Sequence, residues 1–497
     1  MLDAIFTNHM VLQRNKPIHV YGTGKKGTHL QVTLDNETKD VNVVDEKWSV
    51  VFEPRAYGGP FKIVVYDGKQ TELIEDVLIG DVFLAAGQSN MEFLMKNSKY
   101  YQEELEEDIP SFRYYYVNQV EYVKDGKEYP AFPKRTWEIA DISNIGDMSA
   151  VAYYMAKMIT AHSDVPVGIV GCHKGGTSAS CWIPEKEMES NLTLKEAYID
   201  GYWKDIKNQT DEQEEMARKK YAEEYDRYQE KVKQYQIEHP HHSISQMKQA
   251  IGHTPWPGPK GKTDYGRPCG LFHTMFEKVK EFTFGSILWY QGEEDTKLPL
   301  LYKDLLKVLI TSWRREFNDT NLPFYVVQLP DYNDDKGINN WAIVRQAQED
   351  ISKELGNIYI LCTLGCGEEF NIHPTDKSVL GARLGELVLE TYYGTKIAGH
   401  CPQVSQINYR QNRLECVVDF LYGQPLINTG LEKIEVSYDG EFFESVDAFV
   451  SKNIIYANMP KKPLSVRYAW KNYPSIGFER KDGKPLFPFY IKEVLDE

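Results

Sequence analysis

Along the chain, two hydrophobic periods trade places. Residues 1 to about 75 carry only short β-branched or aromatic runs, at 18–22, 30–34, 48–52 and 61–66. Gly24, Gly27, Gly58, Gly59 and Gly68 punctuate them, the pattern of a small β-sandwich-like module. From about 76 to 398, short apolar runs alternate with helical ones. Runs 82–86, 167–170, 286–290, 324–328 and 358–361 read as strands buried on both faces. Residues 148–161, 302–317 and a stretch starting near 377 place apolar side chains at helical spacing. Strands alternating with helices predict an α/β unit with a doubly wound parallel sheet. Residues 190–262 interrupt it; Tyr221, Tyr225, Tyr228, Val232 and Tyr235 recur at helical spacing among charges. This insertion reads as a long helix or helical hairpin, either covering a site, pairing subunits or lying on the surface. Residues 399–497 return to the β pattern and predict a second β module.

Composition narrows the partners. The 497 residues hold 57 Lys+Arg against 73 Asp+Glu, a net charge of −16 that argues against nucleic acid and anionic membranes. No apolar run is long enough to span a bilayer. The first residues lack the basic and apolar regions of a signal peptide, so a cytoplasmic location is expected. Seven scattered Cys suit free thiols. Cys362, Cys366 and His373 fit no standard zinc spacing, and neither a metal nor another cofactor is expected.

Candidate chemistry gathers where the strands end. Run 82–86 stops at Gly87, Gln88 and Ser89 follow, and Met91 opens a helical pattern. Such a strand–turn–helix can hold a nucleophilic Ser beside free N–H groups, although a Ser there can also simply cap the helix. The loop after the second run holds His173 and the pair Gly175-Gly176; the loop after the third begins at Gln291. Backbone N–H groups of Ser89 and the Gly pair, with the Gln291 amide, are candidate oxyanion donors; a tight turn alone would also explain the glycines. His373, in the loop after the fifth run, lies on the same rim as Ser89 and is the candidate base.

Several blocks, in order, resemble the sialate O-acetylesterase family of SGNH hydrolases. They are Gly87-Gln88-Ser89-Asn90-Met91, residues 166–170 leading to Gly175-Gly176-Thr177, Trp289-Tyr290-Gln291-Gly292-Glu293, and Ile372-His373-Pro374 with Lys377 and Arg383. Residues 9–14 and 466–470 resemble that family's terminal β modules, so the likeness spans most of the chain outside the insertion. It implies a flavodoxin-like SGNH-hydrolase sheet and deacetylation of sugar O-acetyl esters without metal. It also implies Ser89 as nucleophile, His373 as base, and Gly176 with the Gln291 block in the oxyanion hole; Gln88 joins that substrate-facing group. Two positions depart from the family pattern. Asn371 stands where an Asp usually precedes the His, so either the site works as a weaker dyad, with Asn371 itself accepting from the ring, or another group orients His373: Glu368 or Glu369 first, then Asp376, or a backbone carbonyl. The third block reads Glu293-Glu294-Asp295 where Glu-Ser-Asn is frequent, which leaves the sugar open between sialic acid and a xylan or mannan unit. The alternative to an esterase is a catalytically impaired carbohydrate-binding protein of the same fold. A homodimer through the insertion is a further expectation.

Overall fold

The structure is a computed structural model, and it describes residues 1–333, 340–492 and 494–496. A central mixed sheet dominates it. Its longest strand, β1 (Thr71–Gly87), has 17 residues. The other strands at its heart are β2 (Phe112–Tyr116), β3 (Val167–His173), β4 (Ser286–Tyr290), β5 (Phe324–Val327) and β6 (Ile358–Leu361). They run in the order β2-β3-β1-β4-β5-β6, all parallel, with Glu138–Ile139 antiparallel outside β2. Ala86 lies between Cys172 and Trp289, its register partners in β3 and β4. Strand order reverses between β1 and β4, the place where such sheets bind ligands beyond their carboxyl ends.

The alternation along β1 explains why both faces are apolar. Val82, Leu84 and Ala86 face one core, with α5 (Tyr302–Glu316) and α6 (Asn340–Glu354) packed over it. Phe83 and Ala85 face the other, covered by α2 (Ala150–Thr160) and α7 (Ser378–Thr391). Helices α2 and α7 approach closely because Gly381 and Gly385 lack side chains: a Cβ there would come within 2.4 and 2.6 Å of Tyr154 and Met158.

At the amino-terminal end, β1 pairs antiparallel with Gly58–Tyr66 and parallel with Val11–Gln13. The expected module boundary at 75/76 falls inside this strand, at a bulge where Asp76 adopts φ +55° and the register with Gly58–Tyr66 shifts. From residue 403 on, mostly antiparallel sheets follow, including Gln403–Arg410 with Arg413–Asp419 and Ile434–Ser437 with Ser465–Tyr468. The buried Arg345 of α6 ties them to the central unit, pairing with Asp331 at 3.4 Å and donating to the Lys471 carbonyl. Helix α6 is not among the predicted elements. Arg345, Gln348 and Glu349 are buried on it, and these polar side chains interrupt its apolar stripe.

The insertion is a helical hairpin. Helix α3 (Asp211–Glu238) and helix α4 (Ile244–Ile251) each start at a capping box, on Thr210 and Ser243. No helix among the described residues is long and apolar enough to cross a membrane.

Candidate active site

Gly87 ends β1 with φ +132°, and a Cβ there would lie 2.1 Å from the Tyr290 carbonyl oxygen. Only glycine turns the chain here while staying tight against β4. Helix α1 (Ser89–Glu92) follows at once, with Ser89 as its first residue, so the Ser89 N–H has no intrahelical partner. His373 Nε2 stands 2.8 Å from Ser89 Oγ, hydrogen-bonded across 284 residues of sequence.

Asn90 holds these two loops in register. Its amide donates to the Ile372 carbonyl at 2.9 Å and to Glu293 Oε1 at 2.6 Å, while its oxygen accepts from Lys377 Nζ at 2.6 Å. Lys377 is fully buried, and desolvation brings its ammonium down to about 7 against the opposing pull of Glu293. Gln88 works alongside: its N–H donates to Tyr290 O, and its side-chain oxygen accepts from the N–H groups of Gly292 and Glu294. Gln88 thus fastens the Ser89 turn to the loop after β4.

Gly175 and Gly176 sit beside the serine. A Cβ on Gly175 would come 3.3 Å from Ser89 Cβ. The Gly175 N–H points at Glu92 Oε2, 2.5 Å away, and Gly176 adopts φ +69°. With Gly175 anchored, the Gly176 N–H meets no protein acceptor among the described residues and stays available, as does that of Ser89. Gln291 corrects the expectation of a side-chain donor. It is fully buried, and its amide donates to Thr177 O at 3.1 Å and Asp295 Oδ2 at 2.6 Å. Both hydrogens are engaged, so it braces the glycine loop instead of facing substrate. Asp295 completes that brace through Ser178 Oγ and the Ala179 N–H.

The orienting acid is a second correction. Glu368 accepts from the N–H and Oγ1 of Thr375 at 2.6 and 2.8 Å and from Asn371 Nδ2 at 3.0 Å. It shapes the histidine loop without reaching the ring. Glu369 is exposed, and Asp376 accepts from Ser378 at the start of α7. Asn371 grips the His373 backbone at both ends, its Nδ2 on the carbonyl at 2.7 Å and its Oδ1 on the N–H at 3.3 Å. No hydrogen bond to His373 Nδ1 is present among the described residues. Burial lowers the His373 imidazolium to about 3, and the nearby ammonium groups of Lys248 and Lys377 push the same way. His173 is a core residue, fully buried at the end of β3 and 3.4 Å from Tyr114 Oη. No group of three or more His, Cys, Asp or Glu is placed to hold a metal among the described residues.

The insertion reaches this site from two sides. Lys248 of α4 donates to Asn371 Oδ1 at 2.8 Å. Trp256, in the segment that returns from α4, lays its ring on Gly176 and donates to Glu294 at 3.0 Å.

The family described as carbohydrate esterase, sialic acid-specific acetylesterase matches the chain over residues 79–235 and 200–393. The chain belongs to this family. It is 25% identical over 426 residues to a sialate O-acetylesterase from Mus musculus, covering 78% of this chain and 73% of that one. It is 22% identical over 430 residues to a sialate O-acetylesterase from Homo sapiens, covering 79% and 71%. Among solved structures, a carbohydrate acetylesterase from Xanthomonas citri superposes with a TM-score of 0.76 at 21% identity, over 99% of both chains, and shares the fold. Glu92, Asn90, Lys248 and Trp256 are the site residues that sequence reasoning missed. Asn90 and Glu92 were open to discovery as polar groups in an apolar turn. Lys248 and Trp256 carried no such signal, since only the folded hairpin brings them to the rim.

Proposed function

We propose that the protein is a serine esterase that removes O-acetyl groups from sugars, with Ser89 as nucleophile and His373 as general base. The hydrogen bond of 2.8 Å between His373 Nε2 and Ser89 Oγ carries the reading. It sits beyond the carboxyl ends of β1 and β4, at the reversal of a flavodoxin-like strand order. That order supports the SGNH-hydrolase assignment. The family match and the named relatives favour O-acetylated sialic acid as substrate, with xylan or mannan units as the alternative.

The chemistry follows from the donors and acceptors in place. His373 is neutral at ordinary pH because its imidazolium is held down to about 3, so Nε2 is free to accept the Ser89 proton. Oγ then bonds to the acetyl carbonyl carbon, and the carbonyl oxygen takes the negative charge. The Ser89 and Gly176 N–H groups are the donors for that oxyanion. As the tetrahedral species collapses, the sugar oxygen leaves with the proton from Nε2, and the acetyl group stays on Oγ. Water gives a proton to Nε2, attacks the acetyl-serine, and the second collapse returns the proton to Oγ and releases acetate.

Turnover of p-nitrophenyl acetate and acetate release from O-acetylated sialic acid test the reading. Ser89→Ala should lower kcat by about a thousandfold or more. Equal rates in the variant and the wild type would sink it. The lack of an acceptor at His373 Nδ1 among the described residues favours one second reading, a slow or inactive binding protein; glycan binding without acetate release would select it.

A further inference from the structure

Beside Gly176, residues of the insertion and of the rim loops border a cavity of about 340 Å³. That is the size of a small-molecule site. Four aromatic residues line it, Tyr202 and three with ties of their own: Tyr221 of α3, Trp256, and Tyr265. Each is fixed by a polar tie. Tyr221 Oη donates to the Pro255 carbonyl at 2.8 Å, Trp256 Nε1 to Glu294 at 3.0 Å, and the Lys174 ammonium sits 4.6 Å from the Tyr265 ring centre. Rigid amphipathic rings of this kind suit the C–H faces of a pyranose and leave its hydroxyls to polar neighbours.

Each charged group at the cavity has a partner, although the Arg218 Nε makes no hydrogen bond. Glu294 is paired with Lys297, Lys260 with Asp205 at 2.6 Å, Glu121 with Lys174 at 3.2 Å, and Arg218 with Glu214 at 3.4 Å. Asp264 accepts from Tyr202 Oη and the Gly266 N–H, both at 2.9 Å. An uncharged ring can enter without separating any of these pairs. Gly176 belongs to both places: its N–H is an oxyanion donor in the proposed reaction, and the Trp256 ring covers it on the cavity side. Gly175 sits against Ser89, so one loop joins the reactive serine to the aromatic walls.

We infer that this cavity is a subsite for an uncharged sugar ring linked to the acetylated one, so that the protein acts on acetylated oligosaccharides in preference to free acetylated sugars. The inference rests on the deacetylase reading and adds a second sugar to it. The test measures kcat/KM with the wild-type protein on two pairs: acetylated xylotetraose against acetylated xylose, and O-acetylated sialyllactose against free O-acetylated sialic acid. The longer member of at least one pair should be favoured about tenfold, the worth of one good aromatic contact. In Trp256→Ala and Tyr221→Ala the same ratio should move toward one. Ratios near one for both pairs, in a wild-type protein that hydrolyses p-nitrophenyl acetate, would overturn the subsite and leave the deacetylase reading standing. A wild-type protein that turns over no acetyl ester would overturn both. The deciding ratio is read on the wild type, so a variant that fails to fold does not obscure it.

Discussion

At Asn371 every hydrogen-bonding position is in use. Its oxygen accepts from Lys248 and the His373 N–H, and its nitrogen donates to Glu368 and the His373 carbonyl. A carboxylate is an acceptor only. Asn371→Asp would keep Lys248 but set two carboxylates face to face and turn an oxygen toward the His373 carbonyl. The variant is therefore expected to lose activity, with kcat/KM for p-nitrophenyl acetate falling about tenfold or more, as follows from losing two buried hydrogen bonds near the base. Restoring the acid that the family pattern favours does not restore a triad in this loop. His173 offers a separate residue-scale prediction. Burial lowers its imidazolium from 6.5 to about 4, so the unfolded chain binds the proton more readily. Its contribution to stability is complete above pH 6.5 and declines as pH falls toward 4. Against a His173→Asn variant, the wild type should lose up to about 3 kcal/mol of relative stability across that window. Urea midpoints for both proteins at pH 7.5, 6, 5 and 4 measure it, and a pH-independent difference would refute the assignment.

Among the elements, helix α4 has the most direct influence on the chemistry. Its Lys248 is largely removed from water, which lowers its ammonium to about 8 while Glu368 pulls the other way. Below that pH the charge opposes protonation of His373; above it the opposition ends. The imidazolium that forms during the reaction should then be less costly, so kcat/KM should rise as pH increases through about 8. Lys248→Met should remove that inflection and shift the acid limb to higher pH, because His373 loses a repelling neighbour. A pH–rate profile of both proteins decides. Strands β1, β4, β5 and β6 were legible as short apolar runs, the first three closed by Gly or Gln, and Ser89 and His373 followed from the loops after β1 and β6. What escaped was set by contact between distant segments. Gln291 stood at the right strand end, but Asp295, four residues on, claims its amide. Glu368 was near His373 in sequence, yet the turn through Asn371 aims it at Thr375. Helix α6 was hidden by the polar side chains it buries.

For the whole molecule, the buried Arg345 links three parts: the loop after β5 through Asp331, helix α6, and the carboxyl-terminal β sheets through the Lys471 carbonyl. Arg345→Met leaves Asp331 buried without its partner and should cost about 3–5 kcal/mol, measured as a lowered denaturation midpoint. A change no larger than that of an exposed Arg→Met control would show the contact to be incidental. Strand β1 has a different consequence. It begins on the amino-terminal sheet, turns at a bulge where Asp76 adopts φ +55°, and ends at Gly87, two residues before Ser89. Arg113 of β2 donates to the Asp76 carboxylate at 2.9 and 3.0 Å and to its carbonyl at 2.5 Å, which clamps that bulge to the central sheet. Recombination between relatives at this junction would have to carry Arg113 along with Asp76, so the amino-terminal sheet and β2 are inherited together with the strand that ends at the nucleophile.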